Sequence, residues 1–394
     1  MTGRAGARTA APVRDRPTWI AYVQLSSYAW FLYAFGATQA LLRDEQGTSR
    51  PVAALHGTAL AVGGLVAALL AARAIDRWGR GRVGRLAAIG TAAGILVYTA
   101  PGGGVPVTLA GAFIATFFGT FLLISVNAFL LDHHGSAGPS SLTEANALGS
   151  LAGLMGPLMI GFGAATVLGW RIGMWVVVVA LALVEVWRGR HVDVFGTRRE
   201  AGQEDPAGRL PRRVLWSLAA ITCFLGAEFS LTFWGADLLR VRAGLGPAAA
   251  AAALGSVTGG MLIGRLLGAR LAERFPTERV LKWSVLVALA AFAIAWSFTA
   301  WPLVLLGLLL TGVGIGVQWP LGVARVVRHS GGLTNRAAAH AAVAAAIAGG
   351  IAPFALGVLS DAAGIHLAFL IVPVFLLLAL GILVVRPVPD ATRP

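Results

Sequence analysis

Arg73-Ala-Ile-Asp-Arg77 recurs later in the chain as Arg270-Leu-Ala-Glu-Arg274, at an offset of 197 residues in a chain of 394. A second pattern, Gly153-x-x-Gly-Pro157-x-x-x-Gly161, recurs as Gly349-x-x-Ala-Pro353-x-x-x-Gly357 at an offset of 196. Two unrelated patterns that share nearly one offset indicate the duplication of a unit about half the chain long. The sequence therefore predicts two halves with the same fold.

Composition indicates that both halves lie in a membrane. Hydrophobic residues make up 57% of the chain, charged residues only 12%, and the mean hydropathy is +0.77, whereas soluble domains carry about 25% charged residues. A membrane-spanning helix needs ~20 mostly apolar residues. Twelve such stretches occur, here called spans 1 to 12: 18–41, 51–72, 84–101, 105–131, 141–167, 170–187, 213–239, 247–269, 280–300, 302–324, 335–359 and 364–385. The predicted fold is an all-α integral membrane protein of 12 transmembrane helices in two pseudo-symmetric bundles of six.

The domain boundaries follow from the polar segments between these spans. The first 17 residues are polar and rich in arginine, and they lead into a full-length span, which favours a disordered tail over a cleaved signal peptide. The expected divisions are a cytoplasmic tail (1–17), an N-terminal six-helix bundle (18–187), a cytoplasmic linker (188–212), a C-terminal six-helix bundle (213–386) and a second cytoplasmic tail (387–394).

The positions of the positive charges predict the topology. All but five of the 31 Lys and Arg residues fall on the two tails, the linker and the even-numbered loops, with Arg265 counted in the loop after span 8. The other five are Arg43, Arg50, Arg171, Arg240 and Arg242. Because cytoplasmic loops of membrane proteins are enriched in Lys and Arg, both termini are expected in the cytoplasm, with the protein integral to the cytoplasmic membrane. The net charge of +14 is thus a topology signal and does not indicate nucleic-acid binding.

Several classes of protein are disfavoured. Cys223 is the only cysteine and lies in an apolar span, so the sequence predicts neither a disulfide framework nor a cysteine-based metal site. A phosphate-binding Gly-x-x-x-x-Gly-Lys-Ser/Thr motif is absent. Asp132-His133-His134 is interpreted as an interfacial loop, not as a metal or acyl-transfer site. We expect no enzyme activity, no cofactor and no metal, and a monomer whose partners are a small-molecule substrate, protons and the bilayer.

A family resemblance becomes specific in the segment from Ala72 to Arg82, with the sequence ARAIDRWGRGR. This segment resembles the loop 2–3 motif of the major facilitator superfamily, Gly-x-x-x-Asp-Arg-x-Gly-Arg-Arg, and its weaker copy follows span 8, as in that family. The chain departs from the family pattern at Ala72, where glycine is usual, and at Glu273, where aspartate is usual; Phe275-Pro276 interrupts the rest of the second copy. The resemblance implies a secondary transporter that works by alternating access.

The motif residues also predict a latch between the halves. Asp76 lies at a helix end where a carboxylate can face a helix N-terminus of the other half, and Arg77 or Arg80 can pair with Asp132. The resemblance implies that this cluster holds the outward-facing state and breaks when the cytoplasmic side opens. The expected members are Asp76, Arg77, Asp132, Glu273 and Arg274. The alternative is that these arginines only determine topology.

Glu228 is the clearest functional candidate inside the spans. It lies just past the midpoint of span 7, and ionisable residues at that depth indicate function by default. We expect it to bind and release the coupling proton, with His340 as a second candidate; the alternative is a neutral carboxyl hydrogen-bonded within the bundle. Asp237 is interpreted as an interfacial residue, and Ser141-Leu-Thr-Glu144 as a capping box that begins span 5.

Polar and aromatic stripes predict a substrate cavity. In the family, spans 1, 4, 7 and 10 line a central cavity, and each of these spans carries candidate lining residues: Gln24, Tyr28, Phe35, Gln39, Thr116, Thr120, Asn127, Thr232, Trp234, Gln318 and Trp319. In span 1 and span 4 they fall on one helical face. The competing interpretation is hydrogen bonding between helices of one half. Such a cavity suits a small, partly apolar or hydroxylated solute.

The sequence indicates the direction of transport less clearly than it indicates the family. Gly149, Gly153, Gly156 and Pro157 loosely resemble the Gly-Pro motif of facilitator drug exporters, which slightly favours proton-coupled efflux. The helix 4 arginine of the proton-antiporting exporters is absent. Proton-coupled uptake of a sugar or similar nutrient is the alternative, and a non-transporting receptor or enzyme is the alternative of a different class. Duplication argues against the last, because a sensor needs no two-fold pseudosymmetric cavity.

The predicted topology can be tested by cysteine labelling in cells. With Cys223 replaced by serine, an impermeant thiol reagent should label Gly47→Cys, in the loop after span 1, and should not label Gly202→Cys, in the linker. The reverse pattern would contradict the number of spans or their orientation.

Overall fold

The computed structural model describes residues 12–189 and 209–387. The predicted tails, up to residue 11 and from residue 388, and the linker at 190–208 lie outside the described residues. Within the described ranges all regular secondary structure is helical, as the sequence predicts. Because a backbone in lipid must satisfy its hydrogen bonds internally, helices are the expected solution for a chain this apolar.

In residues 12–189 and 209–387, twelve long helices correspond one to one to the twelve predicted spans and are numbered α1 to α12. They are α1 Arg16–Gln46, α2 Arg50–Trp78, α3 Arg80–Tyr98, α4 Val105–His134, α5 Gly138–Ala164, α6 Arg171–Arg188, α7 Arg212–Arg242, α8 Pro247–Arg274, α9 Thr277–Ser297, α10 Trp301–His329, α11 Thr334–Ala363 and α12 Ile365–Val385. Breaks occur at Leu254 in α8, at Val317 in α10 and at 369–370 in α12.

Nine of these helices are long and apolar enough to cross a membrane within the described ranges. The other three, α1, α3 and α6, carry more polar residues and all belong to the N-terminal half. For example, α6 has 18 residues, among them Arg171, Glu185 and Arg188. Helix ends follow ordinary chemistry: Asp15 accepts a hydrogen bond from the Thr18 amide at the start of α1, and Gly47, at φ 61°, ends that helix.

Up-and-down connectivity gives the molecule two ends. The linker end carries residues 189 and 209, where the described parts of the two halves stop. The far end carries the connections between α1 and α2, α3 and α4, and α5 and α6, and their counterparts in the second half.

Helices α1 and α7 bring the two halves together, and their backbones almost touch. A Cβ added to Gly36 of α1 would lie 1.9 Å from the carbonyl oxygen of Thr232 in α7. Small residues permit such close helix approaches in membranes. Gly161 of α5 makes the equivalent approach to α8, where an added Cβ would meet Ala252 at 2.5 Å. Both contacts lie between the helix midpoints and the far end, so the halves are joined there.

Two expectations about individual helices are wrong. Arg265 does not belong to a loop after span 8, because α8 continues for nine residues beyond it to Arg274. Ser141 and Glu144 do not cap α5, because α5 begins at Gly138 and both residues lie inside the helix. Glu144 instead forms an ion pair with Arg14 at 3.0 Å. In both cases the helix extends further than the local sequence signals indicate.

The close approach at Gly36 leads to a mutational prediction. Gly36→Val should prevent the far ends of α1 and α7 from closing, because its side chain would overlap the Thr232 carbonyl. In a cysteine-free background, the pair Asp44→Cys/Arg240→Cys replaces an ion pair of 2.6 Å between these helices and reports closure by crosslinking. Adding Gly36→Val should lower the crosslinking yield severalfold.

Gly381→Val is the matched control, because an added Cβ at Gly381 meets nothing within 4 Å. It should leave the crosslinking yield unchanged. Equal yields with Gly36→Val and Gly381→Val would contradict the proposed steric role of Gly36.

Candidate functional site

Four side chains from both halves meet at the middle of the helices: Tyr33 of α1, Ser150 of α5, Glu228 of α7 and Arg265 of α8. Glu228 lies 16 residues from the start of α7 and 14 from its end, which corresponds to ~20 Å or more from either end at 1.5 Å per residue. Tyr33 and Ser150 also lie near the midpoints of their helices. We call this group the central cluster.

Arg265 holds the central cluster together. Its guanidinium donates to the Tyr33 hydroxyl at 2.7 Å and to the Ser150 hydroxyl at 3.0 Å, so one C-terminal side chain binds two N-terminal helices. The Arg265 guanidinium also lies 5.9 Å from the centre of the Tyr33 ring, within the range of a cation–π contact. Sequence reasoning missed Arg265 because a gradual transition from span 8 into Arg-rich sequence gives no signal of where the helix leaves the membrane.

Glu228 completes the central cluster without bonding directly to Arg265. Its side chain is only 8% exposed. The Glu228 carboxyl is close enough to interact electrostatically with both Arg265 and Tyr33. None of the ion pairs among the described residues joins Glu228 to Arg265 directly. Glu228 therefore lies at mid-depth, as predicted, but it has a nearby cation, Arg265, that the sequence did not indicate.

The predicted stripe on α4 contacts α1 within the N-terminal half. Tyr28 of α1 and Thr120 of α4 have their hydroxyls 3.4 Å apart. Thr116 donates to the carbonyl of Ala112 within its own helix at 3.0 Å. Asn127 has a buried Oδ1 with no hydrogen-bond partner in the described structure. Tyr28 and Thr120 thus meet each other, whereas Asn127 keeps an unsatisfied acceptor.

Two glutamines predicted for the cavity are used inside the N-terminal half. Gln24 is fully buried and donates to Glu185 of α6 at 2.9 Å. Gln39 is also fully buried and donates to the Tyr98 hydroxyl at 2.9 Å and to the Phe35 carbonyl at 3.2 Å. Both contacts correspond to the competing interpretation, in which polar residues join helices of one half.

The C-terminal candidates divide in the same way. Thr232 donates to the Glu228 carbonyl at 2.9 Å, one turn away in α7. Trp234 is fully buried and donates to the Pro353 carbonyl of α11 at 2.8 Å, so it packs within its own half. Gln318 follows the break in α10; it is 1% exposed, and its side-chain amide atoms have no partner among the described residues. Trp319 is partly buried.

An aromatic contact closes the far side of the central cluster. Phe35 of α1 and Phe233 of α7 have ring centres 6.0 Å apart, and each belongs to a different half. They lie next to the Gly36–Thr232 contact. Together these residues form an apolar seal between Glu228 and the far end.

Beyond this seal, ion pairs join the two halves at the far end. Asp237 of α7 binds Arg43 of α1 and also Arg50 of α2, the latter at 2.8 Å. Arg50 also pairs with Asp361 at 3.6 Å, and Arg240 pairs with Asp44 at 2.6 Å. The expectation that Asp237 is a solvated interfacial residue is wrong: it is 2% exposed, because the opposite half supplies two guanidinium partners.

At the linker end the predicted latch residues lie mostly on the surface. Asp76 and Arg77 are both exposed. Arg80, which is 4% exposed, pairs with Asp132 at 2.7 Å within the N-terminal half. Glu273 and Arg274 are exposed at the end of α8. The Arg80–Asp132 pair therefore stabilises one half and does not bridge the two.

A buried ion pair at the linker end of the C-terminal half was not predicted. Arg325, which is fully buried, donates to Glu278 at 2.8 Å and to the Ser217 hydroxyl at 3.0 Å. These contacts join α7, α9 and α10. Sequence reasoning assigned Arg325 to topology alone, because nothing local shows that its helix turns it inward.

His340 lies away from this buried chemistry. It is exposed, and its Nδ1 is 2.7 Å from the Arg336 carbonyl one turn earlier in α11. No group of three or more His, Cys, Asp or Glu side chains suited to a metal ion occurs in the part of the chain that the structure describes.

Comparison with known proteins assigns the fold to a family. A point mutant of the nucleoside transporter NupG has a TM-score of 0.76 at 12% identity, with 95% of this chain and 99% of that one covered. A single-residue variant of the E. coli fucose:proton symporter FucP has a TM-score of 0.64 at 19% identity, covering 95% and 99%. An inward-facing bacterial homologue of the human lysosomal transporter Spinster has a TM-score of 0.68 at 15% identity, covering 94% and 95%.

No curated protein sequence matches the chain. The sequence model of the Major Facilitator Superfamily matches residues 20–294 and 244–394, which together include nearly the whole chain. The resemblance first noted in a single loop motif is therefore confirmed over both halves, and the likeness of the solved structures agrees with it. The protein is a multi-pass integral membrane transporter, not an enzyme, and it belongs to the Major Facilitator Superfamily.

Proposed function

We propose that the protein is a proton-coupled secondary active transporter of a small organic solute, with Glu228 as the proton-binding residue. The observation that carries this proposal is the placement of one carboxyl, almost fully buried, at mid-depth between two mobile halves. Each of the other carboxyls in the described helices lies within about two turns of a helix end. Glu228 is thus the carboxyl whose ionisation the membrane interior opposes most.

Protonation of Glu228 provides a physical link to alternating access. An ionised carboxylate near the bilayer centre costs at least ~2.5 kcal/mol on insertion scales. A carrier whose central site is closed from both sides must therefore neutralise Glu228, either with a proton or with a nearby cation. Proton binding and release then depend on which side of the membrane the site faces.

The contacts between the halves support a state that is open toward the linker end. The ion pairs of Asp237, the Phe35–Phe233 contact and the Gly36–Thr232 approach all join the halves on the far side of Glu228. The exposed Asp76 fits a latch that is broken in this state. If the linker end is cytoplasmic, as the distribution of arginines predicts, this is an inward-open conformation.

The charge arrangement favours uptake over the efflux suggested by the sequence. The glycines that resemble the exporter motif have a packing role: added Cβ atoms at Gly153 and Gly156 of α5 would meet Tyr33 at 2.5 Å and Ala34 at 3.1 Å, both in α1 of the same half. Arg265, in contrast, places a positive charge beside Glu228. A cation beside a proton site disfavours the exchange of a proton for a positively charged solute.

The proton role predicts a separation between driven and passive transport. Glu228→Gln should abolish accumulation driven by a pH gradient in liposomes, because a permanently neutral side chain cannot exchange protons. Counterflow of solute at equal pH should survive, because it requires only reorientation of the loaded carrier. The measurement compares both fluxes in the same reconstituted preparation.

Glu144→Gln is the matched control. Glu144 is also a carboxyl in a membrane helix, but it contacts the exposed Arg14 and the Tyr22 hydroxyl near the linker end. It should retain pH-driven accumulation. Full pH-driven accumulation by Glu228→Gln would place the proton site elsewhere, with His340 as the next candidate, or would indicate a uniporter.

The proposed latch predicts an asymmetry between the two motif copies. Asp76→Asn should slow transport by more than it weakens solute binding, because it removes a charge needed only when the linker end closes. Glu273→Gln should have the smaller effect, since its motif copy is degraded. Initial rates and binding affinities of both variants test this expectation, and two equally small effects would leave only the topology role.

A further inference from the structure

We propose that Arg265, together with the Tyr33 hydroxyl, binds an acidic group of the transported solute, so that the solute is a small organic anion carried together with a proton. This inference rests on the proposed function, because it takes Glu228 as the proton site. It adds the chemical class of the solute and the direction of coupling.

Arg265 has more hydrogen-bond donors than its contacts among the described residues use. A guanidinium has five N–H donors, and Arg265 directs two of its nitrogens at the oxygens of Tyr33 and Ser150. Ser150 passes its own hydrogen to the carbonyl of Asn146 at 2.9 Å. The Tyr33 oxygen accepts from Arg265, and its own hydrogen has no recorded acceptor within the described ranges. The remaining Arg265 donors and the Tyr33 hydrogen are therefore available to an acceptor on a bound solute.

An oxyanion is the acceptor that best fits these donors. The planar guanidinium matches the two oxygens of a carboxylate, and hydrogen bonds between ionised groups are about twice as strong as neutral ones. A neutral amide or alcohol could accept one of these bonds but would leave the positive charge of Arg265 uncompensated. The central cluster therefore distinguishes acidic solutes from neutral solutes of the same shape.

Charge balance couples the anion to the proton. Arginine remains protonated in proteins, and both hydrogen-bonding partners of Arg265 are neutral. When Glu228 is ionised, its charge and that of Arg265 offset each other. When Glu228 binds a proton, the cluster has one excess positive charge, and a bound monoanion removes it.

Two states of the carrier are thus electrically balanced. They are the empty form with ionised Glu228 and the form loaded with both a proton and an anion. A carrier loaded with only one of them holds an uncompensated charge in a medium of low dielectric constant, which is strongly unfavourable. The balanced forms reorient more easily, so the proton and the anion cross together, in symport and without net charge movement for a monoanion.

Few other groups influence this balance. From the helices packed against α7, the charged or titratable groups that face Glu228 among the described residues are Arg265 of α8 and Tyr33 of α1. Asp237 lies on α7 itself, nine residues further along, and is engaged by Arg43 and Arg50. The pH dependence of anion binding should therefore follow the protonation of Glu228.

The central cluster is also accessible to a solute. Tyr33, Ser150 and Arg265 are each partly exposed, although they lie near the middle of the molecule. Because the far side is closed by the Phe35–Phe233 contact and by the ion pairs of Asp237, a solute reaches them from the linker end.

The experiment compares probes that differ only in charge. Binding of benzoate, benzamide and phenyl phosphate to the purified full-length protein is measured by calorimetry at mildly acidic pH. Benzoate should bind at least about tenfold more tightly than benzamide, which corresponds to ~1.4 kcal/mol. Tighter binding of phenyl phosphate than of benzoate would identify a phosphate as the acidic group, and weaker binding would identify a carboxylate.

Substitutions test whether Arg265 binds the anion and whether Glu228 binds the proton. Arg265→Gln should remove the preference for benzoate over benzamide, and Tyr33→Phe should reduce it. Benzoate added to wild-type protein in weakly buffered solution, at a pH at which Glu228 of the empty carrier is ionised, should cause proton uptake from the solution. Glu228→Gln should bind benzoate with an affinity that no longer depends on pH and without proton uptake. The double variant Arg265→Gln/Glu228→Gln leaves no unpaired charge in the central cluster. It replaces Arg265→Gln if that single variant fails to fold, and it should also show no preference for benzoate over benzamide.

The outcomes separate this inference from the proposed function. Equal affinities for benzoate and benzamide, or an unchanged preference in both Arg265→Gln variants, would overturn the anion site even if Glu228 still supports pH-driven transport. Benzoate binding to the wild type without proton uptake would overturn the symport and would also contradict Glu228 as the proton site.

Discussion

The central constraint on this molecule is that a buried charge in the membrane interior must be balanced by another group. Arg265 meets this constraint by binding hydroxyls on two helices of the other half while Glu228 lies within electrostatic reach. The halves are therefore connected at mid-depth by Arg265, and in the proposed function the charge balance of this connection depends on a proton. According to this proposal, the central cluster binds both the solute and the proton, and it lies at the boundary between the two halves.

Contacts at the far end follow a different principle. Gly36 lets α1 approach the backbone of α7, and Phe35 and Phe233 cover the approach with apolar surface. Outside this seal, Asp237 collects two arginines from the opposite half. Because Asp237 is buried against both arginines, separating them without new partners would leave a buried charge uncompensated. Opening of the far end must therefore let water reach Asp237, Arg43 and Arg50. The five arginines outside the tails, the linker and the even-numbered loops include the ones that build this network.

Sequence reasoning was most successful where the signal is periodic or compositional. The duplication, the twelve spans and the mid-depth position of Glu228 all depend on features that are local or repeated, and the structure bears out the fold. It failed at Arg265, Glu144 and Asp237 for a common reason. Each of these residues lies near a helix end or at the edge of an apolar stretch, where only the neighbouring helices determine whether a polar side chain faces solvent or a partner.

The predicted cavity residues also show that helical periodicity identifies a shared face but not the partners of the side chains on it. A helical stripe places Gln24, Tyr28 and Gln39 on one face of α1, and this much follows from the period of the helix. Gln24 and Gln39 nevertheless bond inside their own half, through Glu185 and Tyr98, while Tyr33, which was not on the predicted stripe, reaches Arg265.

The sequence by itself determined the class of protein, because hydropathy, charge distribution and internal repetition act along the chain. Only the tertiary structure decided which polar residues meet, because the pairs Arg265–Tyr33, Arg50–Asp237 and Arg325–Glu278 join residues far apart in sequence. Their distances depend on how twelve helices pack, and in a membrane that packing is directed by small residues and by the need to pair every buried charge.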